Sequence, residues 1–472
     1  GRQVSSLHEV VAVTLEHAIA ANRFGLGARP GDLDRMGDPQ DWLRGQIARA
    51  GKPDPVLRDL GDSPSVINEI FELRRQRNEM RKAGKDMVNE YAQTVRKHYA
   101  AQVLARYQHA ANTDAPFRER LVHFFTNHFA VSADKQPMPA IAGLFEQEAI
   151  RPNVTGNFAD LLIAVEQHPA MLTYLDNQRS IGPGSRAGKA AARRAPERNI
   201  GLNENLAREI LELHTLGVDG GYTQTDVTTF AKVITGWSVA ADTDVRRNSA
   251  DAVGAFFFRS RAHEPGTQSV LGKRYPDNGV NQGVAVLRDL AVHPATARHL
   301  ATKIARHFVS DVPPKALVAR LESVWLDTGG DLGAVANTLV NHDASWTEEK
   351  QKYKSPHEFV VSSFRALDYA PDEPQVLFAM LEQLGQAPYR PGSPAGWPDT
   401  ADDWGSADAL YKRIEWAGAV GDRAGTRAKP LPLARAVLGP SLSTSTIKAL
   451  AGAESGGQGL ALLLASPDFL RR

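Results

Sequence analysis

Apolar residues recur along this chain at three- and four-residue intervals far more often than they alternate, which predicts a mainly helical protein. VVAVTLEHAIAANRF suggests an amphipathic helix from about 7 to 23, stopped by Gly25 and Gly27 with Pro30 beyond. The segment from about 65 to 111 reads as one or two helices interrupted by Gly84. Ile67, Ile70, Phe71, Met87, Tyr91, Val95, Val103 and Leu104 would form its packed face. Another helix covers 116–132, opening at Pro116. Further helical patterns cover 137–150, 157–167, 203–216, 224–235, 280–292, 294–309, 314–326, 331–341, 355–367, 372–384, 406–420, 430–436 and 443–465. Strand-like sequence is confined to VGAFFFRS at 253–260, expected to pair in a small hairpin with residues near 269–271. The expected fold is mainly α, a bundle-like single unit with at most a small β-hairpin. No repeat of 20 to 50 residues suggests a solenoid.

Two segments break the helical pattern. Residues 177–199 hold six Arg or Lys against one Glu, among Gly, Pro and Ala, and read as an exposed, mobile basic loop. Residues 387–406 are rich in Pro, Gly and Asp and carry Trp397 and Trp404. Such a loop suits either a ligand rim or a tryptophan-anchored cap on the bundle.

Composition narrows the chemistry. The chain has 472 residues, 42% hydrophobic and 23% charged, with a formal net charge of +1. Those are ordinary values for a globular protein. A charge so near zero gives no global field to attract nucleic acid or an anionic membrane. The absence of cysteine removes thiolate nucleophiles and Cys-ligated metals, leaving His, Asp, Glu, Ser, Lys and Tyr. The opening GRQVSS has no initiator Met, which suggests that an upstream segment has been removed. No run of 18 apolar residues predicts a membrane span.

The densest polar cluster is NENLAREILELHTLGVDGGYTQTD, residues 203–226. Leu202, Leu206, Ile210 and Leu213 form an apolar stripe at helical spacing, with Asn203 as N-cap and Gly217 as stop. Glu204, Arg208, Glu212 and Thr215 fall opposite the stripe, where Glu204 and Arg208 form an i,i+4 ion pair. Asn205 and Glu209 sit at its flank, so a carboxylate at 209 is expected to be half-buried and either paired or shifted in pKa. Thr223 and Asp226 form a capping box at the next helix. The tight turn between the helices would bring Glu212, His214, Asp219 and Asp226 near one another.

On the 116–132 helix, His123 and His128 lie about 140° apart and cannot share a ligand from one face. Asn127 and His128, beside Phe125 and Phe129, could form the polar end of an apolar pocket. His263 sits in a loop, free to act as ligand or acid/base, and the dipole at the end of its helix favours charge on His214. No nucleophile elbow, phosphate loop or HExxH motif is present.

Several blocks nevertheless occur in one order. They are HAIAANRFGLGARPGD, RERLVHFFTNHF, NENLAREILELHTLGVDGGYTQTDV with a following TGW, HEPG…LGK at 263–273, HPATARHLATKIARHFV, KSPHEFVVSSFRAL, AGWP and LLLASPDFLRR. In these blocks the chain resembles the bacterial domain-of-unknown-function family 1800 over nearly its whole length. The resemblance implies one family-wide unit in an exported, periplasmic or extracellular setting, often encoded beside a co-exported sulfatase-like family protein. It settles neither an activity nor a cofactor. This chain has Phe125-Thr126-Asn127-His128 where family members commonly carry Trp-His-Asn-His, which weakens any metal site needing the missing histidine.

Three functional readings come from these observations. The first is a hydrolase acting on an extracellular polysaccharide or envelope glycan. Glu209, Asp226, Glu212 and His128 would be its catalytic residues, and Asn127, Asn205, Arg208, Trp237, His263, Trp397 and Trp404 would hold substrate. The second is a metal-dependent enzyme using His128, His214, His263 and Glu209 or Asp226, although no diagnostic ligand spacing assigns a metal. The third is a non-enzymatic binding or assembly partner of a co-exported protein, with Glu209 as a buried ion-pair partner.

Overall fold

Capping chemistry sets many helix starts in the computed structural model, which describes residues 12–49, 54–85, 89–194, 201–247 and 249–472. Ser355 and Glu358 form a reciprocal capping box at the Pro356–Leu367 helix, and Thr223 and Asp226 form one at Gln224–Val233. The two His-Pro pairs act alike: His168 and His293 each accept the backbone N–H two residues on, and the following proline occupies the first helical position.

The helices match the apolar pattern closely at Pro116–His128, Val280–Ala291, Pro294–Phe308 and Leu332–Asn341, the last two capped by the side chains of His293 and Asp331. Elsewhere the pattern and the structure part. The 65–111 stretch forms two helices, Ser63–Lys82 and Glu90–Asn112, and the 443–465 stretch breaks into Thr444–Ala451 and Gly456–Leu464. A helix at Pro39–Ala48 is an addition, capped by Asp38. The basic segment also departs from a simple loop, because Arg186–Arg194 is helical. Positions 7–11, Met87 and residues 195–199 lie outside the described residues.

The expected hairpin of 253–260 with 269–271 does not form. Phe256–Phe258 pairs instead with Trp237–Val239, and Gln268–Val270 pairs with Lys273–Tyr275, both antiparallel. The two-residue turn Leu271-Gly272 has positive φ at both positions, the geometry whose twist suits a two-residue hairpin. That turn commits 269–271 to its own partner strand. The protein is mainly α with two small two-stranded sheets.

One contiguous hydrophobic core runs from Ile19 to Leu470. Buried arginines tie distant loops to it by donating to backbone carbonyls. Arg120 Nε donates to the Gly25 carbonyl at 2.7 Å, and Arg365 Nε to that of Gly27 at 2.7 Å. Gly27 has φ +104°, and a Cβ there would crowd Ser362, so only glycine lets the loop approach the Pro356–Leu367 helix. The RFGLGARP block is thus read structurally: its carbonyls are the acceptors for two buried guanidinium groups. No helix among the described residues is long and apolar enough to cross a membrane.

Candidate functional site

Pro116–His128, Pro294–Phe308 and the first turn of Pro356–Leu367 converge on a cavity of about 370 Å³. Arg106 and Tyr107 from Glu90–Asn112 complete one wall, and the 386–403 segment closes the other with Tyr389, Trp397 and Asp399. Four of the sequence blocks that carry the family resemblance therefore meet here: RERLVHFFTNHF, HPATARHLATKIARHFV, KSPHEF and AGWP.

The AGWP turn is held by one side chain. Asn127 Nδ2 donates to the Trp397 carbonyl at 2.8 Å, and the Trp397 N–H donates to Asn127 Oδ1 at 2.7 Å. Gly396 has φ +81°, and a Cβ would collide with the Asn127 backbone oxygen. Asn127 thus acts on the cavity by placing Trp397 in its wall, beside Trp404 at 6.1 Å between ring centroids.

Three titratable groups bring chemistry to the cavity. His307 Nδ1 lies 3.0 Å from Asp399 Oδ2, and its Nε2 faces Arg120 Nη1 at 3.5 Å. Burial lowers the His307 pKa although Asp399 opposes the shift, so the ring is neutral at pH 7 with a proton on Nδ1. Asp399 is in turn held by Lys352, whose Nζ donates to its carbonyl at 2.5 Å and lies 3.6 Å from Oδ1. Lys303 Nζ donates to His128 Nδ1 at 2.9 Å. Burial pulls Lys303 down to about 8, while Asp399 opposes.

His128 itself is fixed by its other nitrogen, which donates to the His214 carbonyl at 3.1 Å. Burial first and Lys303 second hold it well below the ordinary range, and it is neutral. His299 does the same one carbonyl earlier, donating to Leu213 at 3.1 Å, with its pKa pushed down to about 4 by burial. These two imidazoles satisfy carbonyls left open where the 205–214 helix ends.

A second polar row runs from the cavity toward the surface. Tyr107 Oη lies 2.6 Å from His357 Nδ1, His357 Nε2 lies 3.0 Å from His123 Nδ1, and His123 Nε2 lies 3.1 Å from Glu119 Oε1. Glu119 also accepts from Arg151 and from His109 Nε2 at 3.1 Å, and His109 Nδ1 reaches Asp54 at 2.7 Å. A carboxylate only accepts, so the row runs one way: Tyr107 donates to His357 and His357 to His123, whose Nε2 lies near Glu119 without a well-aligned hydrogen bond. His109 lies between two carboxylates; burial, the largest effect, would lower its pKa, but Glu119 and Asp54 together raise it. Burial lowers His357 and His123, which stay neutral.

Of the sequence-derived candidates, Asn127, His128 and Trp397 line this cavity. The 203–226 cluster lies beside it, linked through the His214 carbonyl. The helix there is α only over Asn205–Glu209 and then widens to a π turn over Ile210–His214. The extra residue rotates everything after 209. Leu211 and His214 move into the core, Leu213 to the edge, and Thr215 is fully buried, its hydroxyl donating to the Ile210 carbonyl at 2.6 Å.

Glu209 is half-buried among Tyr174, Tyr222, His214 and Glu212, with no ion pair among the described residues. Burial raises its pKa; Glu212 adds to the shift and His214 opposes it. Glu212 lies against Tyr222. Arg208 pairs with Glu204 at 3.2 Å, as spaced, but also bonds Gln224, so this face meets the next helix. Asn205 is exposed, and its N–H donates to Asn203.

Asp226 accepts from the Thr223 N–H and hydroxyl at 2.8 Å each and from the Leu271 N–H at 2.8 Å, which ties the hairpin turn to the helix. Trp237 is 0% exposed, with Gly283 against its indole. His263 is buried, its Nδ1 bonded to the Thr235 carbonyl at 3.0 Å, and lies 3.5 Å from Asp277. Trp404 is buried, its Nε1 donating to the Pro398 carbonyl at 2.9 Å. His214 pairs with Glu166 at 2.7 Å, both wholly buried. His128, His214 and His263 do not assemble with Glu209 or Asp226. Among the described residues no group of three or more His, Asp or Glu is arranged to hold a metal ion.

Sequence reasoning passed over Lys303, His307, His357, Glu358 and Asp399. A signal was present on 294–309: His299, Lys303 and His307 recur every four residues, a polar line along one helix face.

A family model described as a protein of unknown function, DUF1800, matches residues 19–471. No curated protein matches the chain, and no solved structure does.

Proposed function

The chain belongs to the DUF1800 family, whose description assigns no activity, and we propose that its central cavity is the active site of a hydrolase acting on an extracellular polysaccharide or envelope glycan. The observation that carries this reading is the neutral His307, oriented by Asp399 and opening on a cavity walled by Trp397. A neutral imidazole whose Nδ1–H is held by a carboxylate is poised to take a proton at Nε2 from an attacking water. Asp399 orients the ring and stabilises the imidazolium that forms. Arg120 Nη1 makes only a long 3.5 Å contact to Nε2, which the attacking water must replace, and its charge discourages a standing charge on the ring. The imidazolium formed at Nε2 can then return that proton to the leaving oxygen, which balances the step. The half-exposed Trp397 supplies a flat apolar face of the kind on which sugar rings stack.

This reading moves the chemistry from Glu209 and Asp226 to the cavity. An exported location, with a co-exported sulfatase-like protein as partner, belongs to the same proposal, and fractionation of the native cells would test it. For the activity, the purified chain is assayed for new reducing ends against extracellular and envelope polysaccharides. His307→Gln and Asp399→Asn are each expected to lower turnover at least ~100-fold, while Glu209→Gln keeps it within a few-fold. Turnover surviving in both cavity variants, or lost in Glu209→Gln alone, defeats the assignment.

A further inference from the structure

We infer that Lys303 and Arg306 form an oxoanion-binding subsite in the cavity, which takes a sulfate, phosphate or carboxylate group carried by the ligand. The inference deepens the proposed function by naming a substrate class and rests on it only for what the rest of the ligand is.

Most cationic side chains around the cavity already have an anion. Arg106 lies 3.0 Å from Glu146, Arg120 pairs with Glu358, and Lys352 sits between Asp311 and Asp399. Lys303 and Arg306 differ. Both line the cavity from Pro294–Phe308, three residues apart and so on one side of that helix. Neither has an ion pair among the described residues. Lys303 donates to an imidazole that is neutral, and Arg306 Nε donates to the Asp311 backbone carbonyl at 3.2 Å, which leaves its terminal nitrogens available.

The carboxylates that could neutralise them are committed elsewhere. Asp399 is held by His307 and Lys352, and Glu358 by Arg120 and Arg472. Asp403, exposed at the mouth, accepts from the Thr400 hydroxyl at 2.5 Å. The imidazoles around Lys303, His128 and His299, are both neutral and add no charge. Two cations kept partly desolvated without a counterion cost the fold stability, and such a cost is typical of a binding site. A guanidinium fork beside an ammonium matches the planar or tetrahedral oxygens of an oxoanion. A bound anion would also hold the Lys303 proton in place, so affinity should fall as pH rises through about 8.

The test is calorimetric titration of the full chain, at low ionic strength, with sodium sulfate, sodium phosphate and sodium galacturonate in turn. At about pH 6.5 at least one should bind saturably at millimolar concentration, and at least ~10-fold more weakly at about pH 9.5. The preferred anion identifies the group carried by the substrate. Lys303→Met and Arg306→Gln should each weaken binding ~10-fold, with Lys303→Arg restoring it and melting curves of the same samples confirming folded protein. No saturable binding of any of the three anions, or equal binding by wild type and both charge-removing variants, overturns the subsite. His307→Gln should bind the anion while losing turnover. Anion binding without polysaccharide hydrolysis therefore overturns the proposed activity alone.

Discussion

Lys303 and Asp226 are opposite cases of a charge held by the fold, and substitution should move stability in opposite directions. The folded pKa of Lys303 lies at about 8, below the ordinary 10.5. Below about pH 8 both folded and unfolded chains carry the proton, and the folded state bears the whole desolvation cost. Between about 8 and 10.5 the folded state releases it while the unfolded chain keeps it, so this group's contribution to stability rises with pH. Lys303→Met is therefore expected to stabilise the protein by ~1 kcal/mol at pH 7. The gain should shrink by pH 10, as read from denaturant unfolding at the two pH values. Asp226 works the other way, because its carboxylate joins a helix start to a hairpin turn through three hydrogen bonds. Burial would raise its pKa, yet those donors hold it below the usual range. Asp226→Ala should cost ~1–2 kcal/mol in the same assay and leave sulfate titration unchanged. A loss of binding with unchanged stability would return Asp226 to the list of functional residues.

Helices were legible in the sequence where their ends carry chemistry. The helices that start after Ser355, Thr223 and His293 lie within a residue or two of the pattern's bounds, whereas the Pro169–Tyr174 helix after His168 is too short for the pattern to show. What a wheel of 3.6 residues could not show is the π turn at Ile210–His214, since one inserted residue re-aims every later side chain without changing composition. Leu213 and Thr215 were therefore placed on the wrong faces, and His214, expected near a charged helix end, is wholly buried against Glu166. The cavity was less legible because it joins residues remote in sequence, among them Asn127, Lys303 and Asp399. Asn127 and Trp397 were each singled out, but nothing in the sequence says that one holds the other. That link is testable at the scale of the loop. Asn127→Ala removes two hydrogen bonds to the Trp397 backbone, and Gly396→Ala forces a Cβ into the Asn127 backbone. Each should release the 395–398 turn, with a red shift of tryptophan emission and a stability loss of ~1–3 kcal/mol. Unchanged emission in both variants would show that the turn is held by something else.

Across the whole molecule, the site depends on contacts between segments that are remote in sequence. Residues 352–354, which lead into the Pro356–Leu367 helix, pair with the last residues. Lys352 and Arg472 exchange backbone hydrogen bonds at 3.1 and 2.9 Å, and the Lys354 N–H donates to Leu470 at 2.9 Å. This pairing delivers the Arg472 guanidinium, 1% exposed, to 2.6 Å from Glu358 at the edge of the cavity. Burial alone would raise the Glu358 pKa, but Arg472 and Arg120 hold it well below the usual range. A carboxyl with a depressed folded pKa contributes stability that is complete above its unfolded value near 4.5 and is lost as pH falls toward the folded one. Glu119, held by Arg151 and His109, adds to the same acid-side loss. Breaking a buried pair commonly costs ~3–5 kcal/mol. Arg472→Ala should fall at the lower end, because Arg120 still faces Glu358 and the repulsion between the two guanidinium groups is relieved. The measurement is thermal and denaturant unfolding of wild type, Arg472→Ala, Glu358→Gln and the double variant at pH 7 and near pH 4. The cycle should give a favourable coupling at pH 7 that narrows at the lower pH, because protonating Glu358 leaves Arg472 no anion to face. A coupling near zero at pH 7 would mean that Arg472 supports the cavity through backbone pairing alone. In that case Arg472→Ala would cost little, and only shortening the chain before Leu470 would disturb the site.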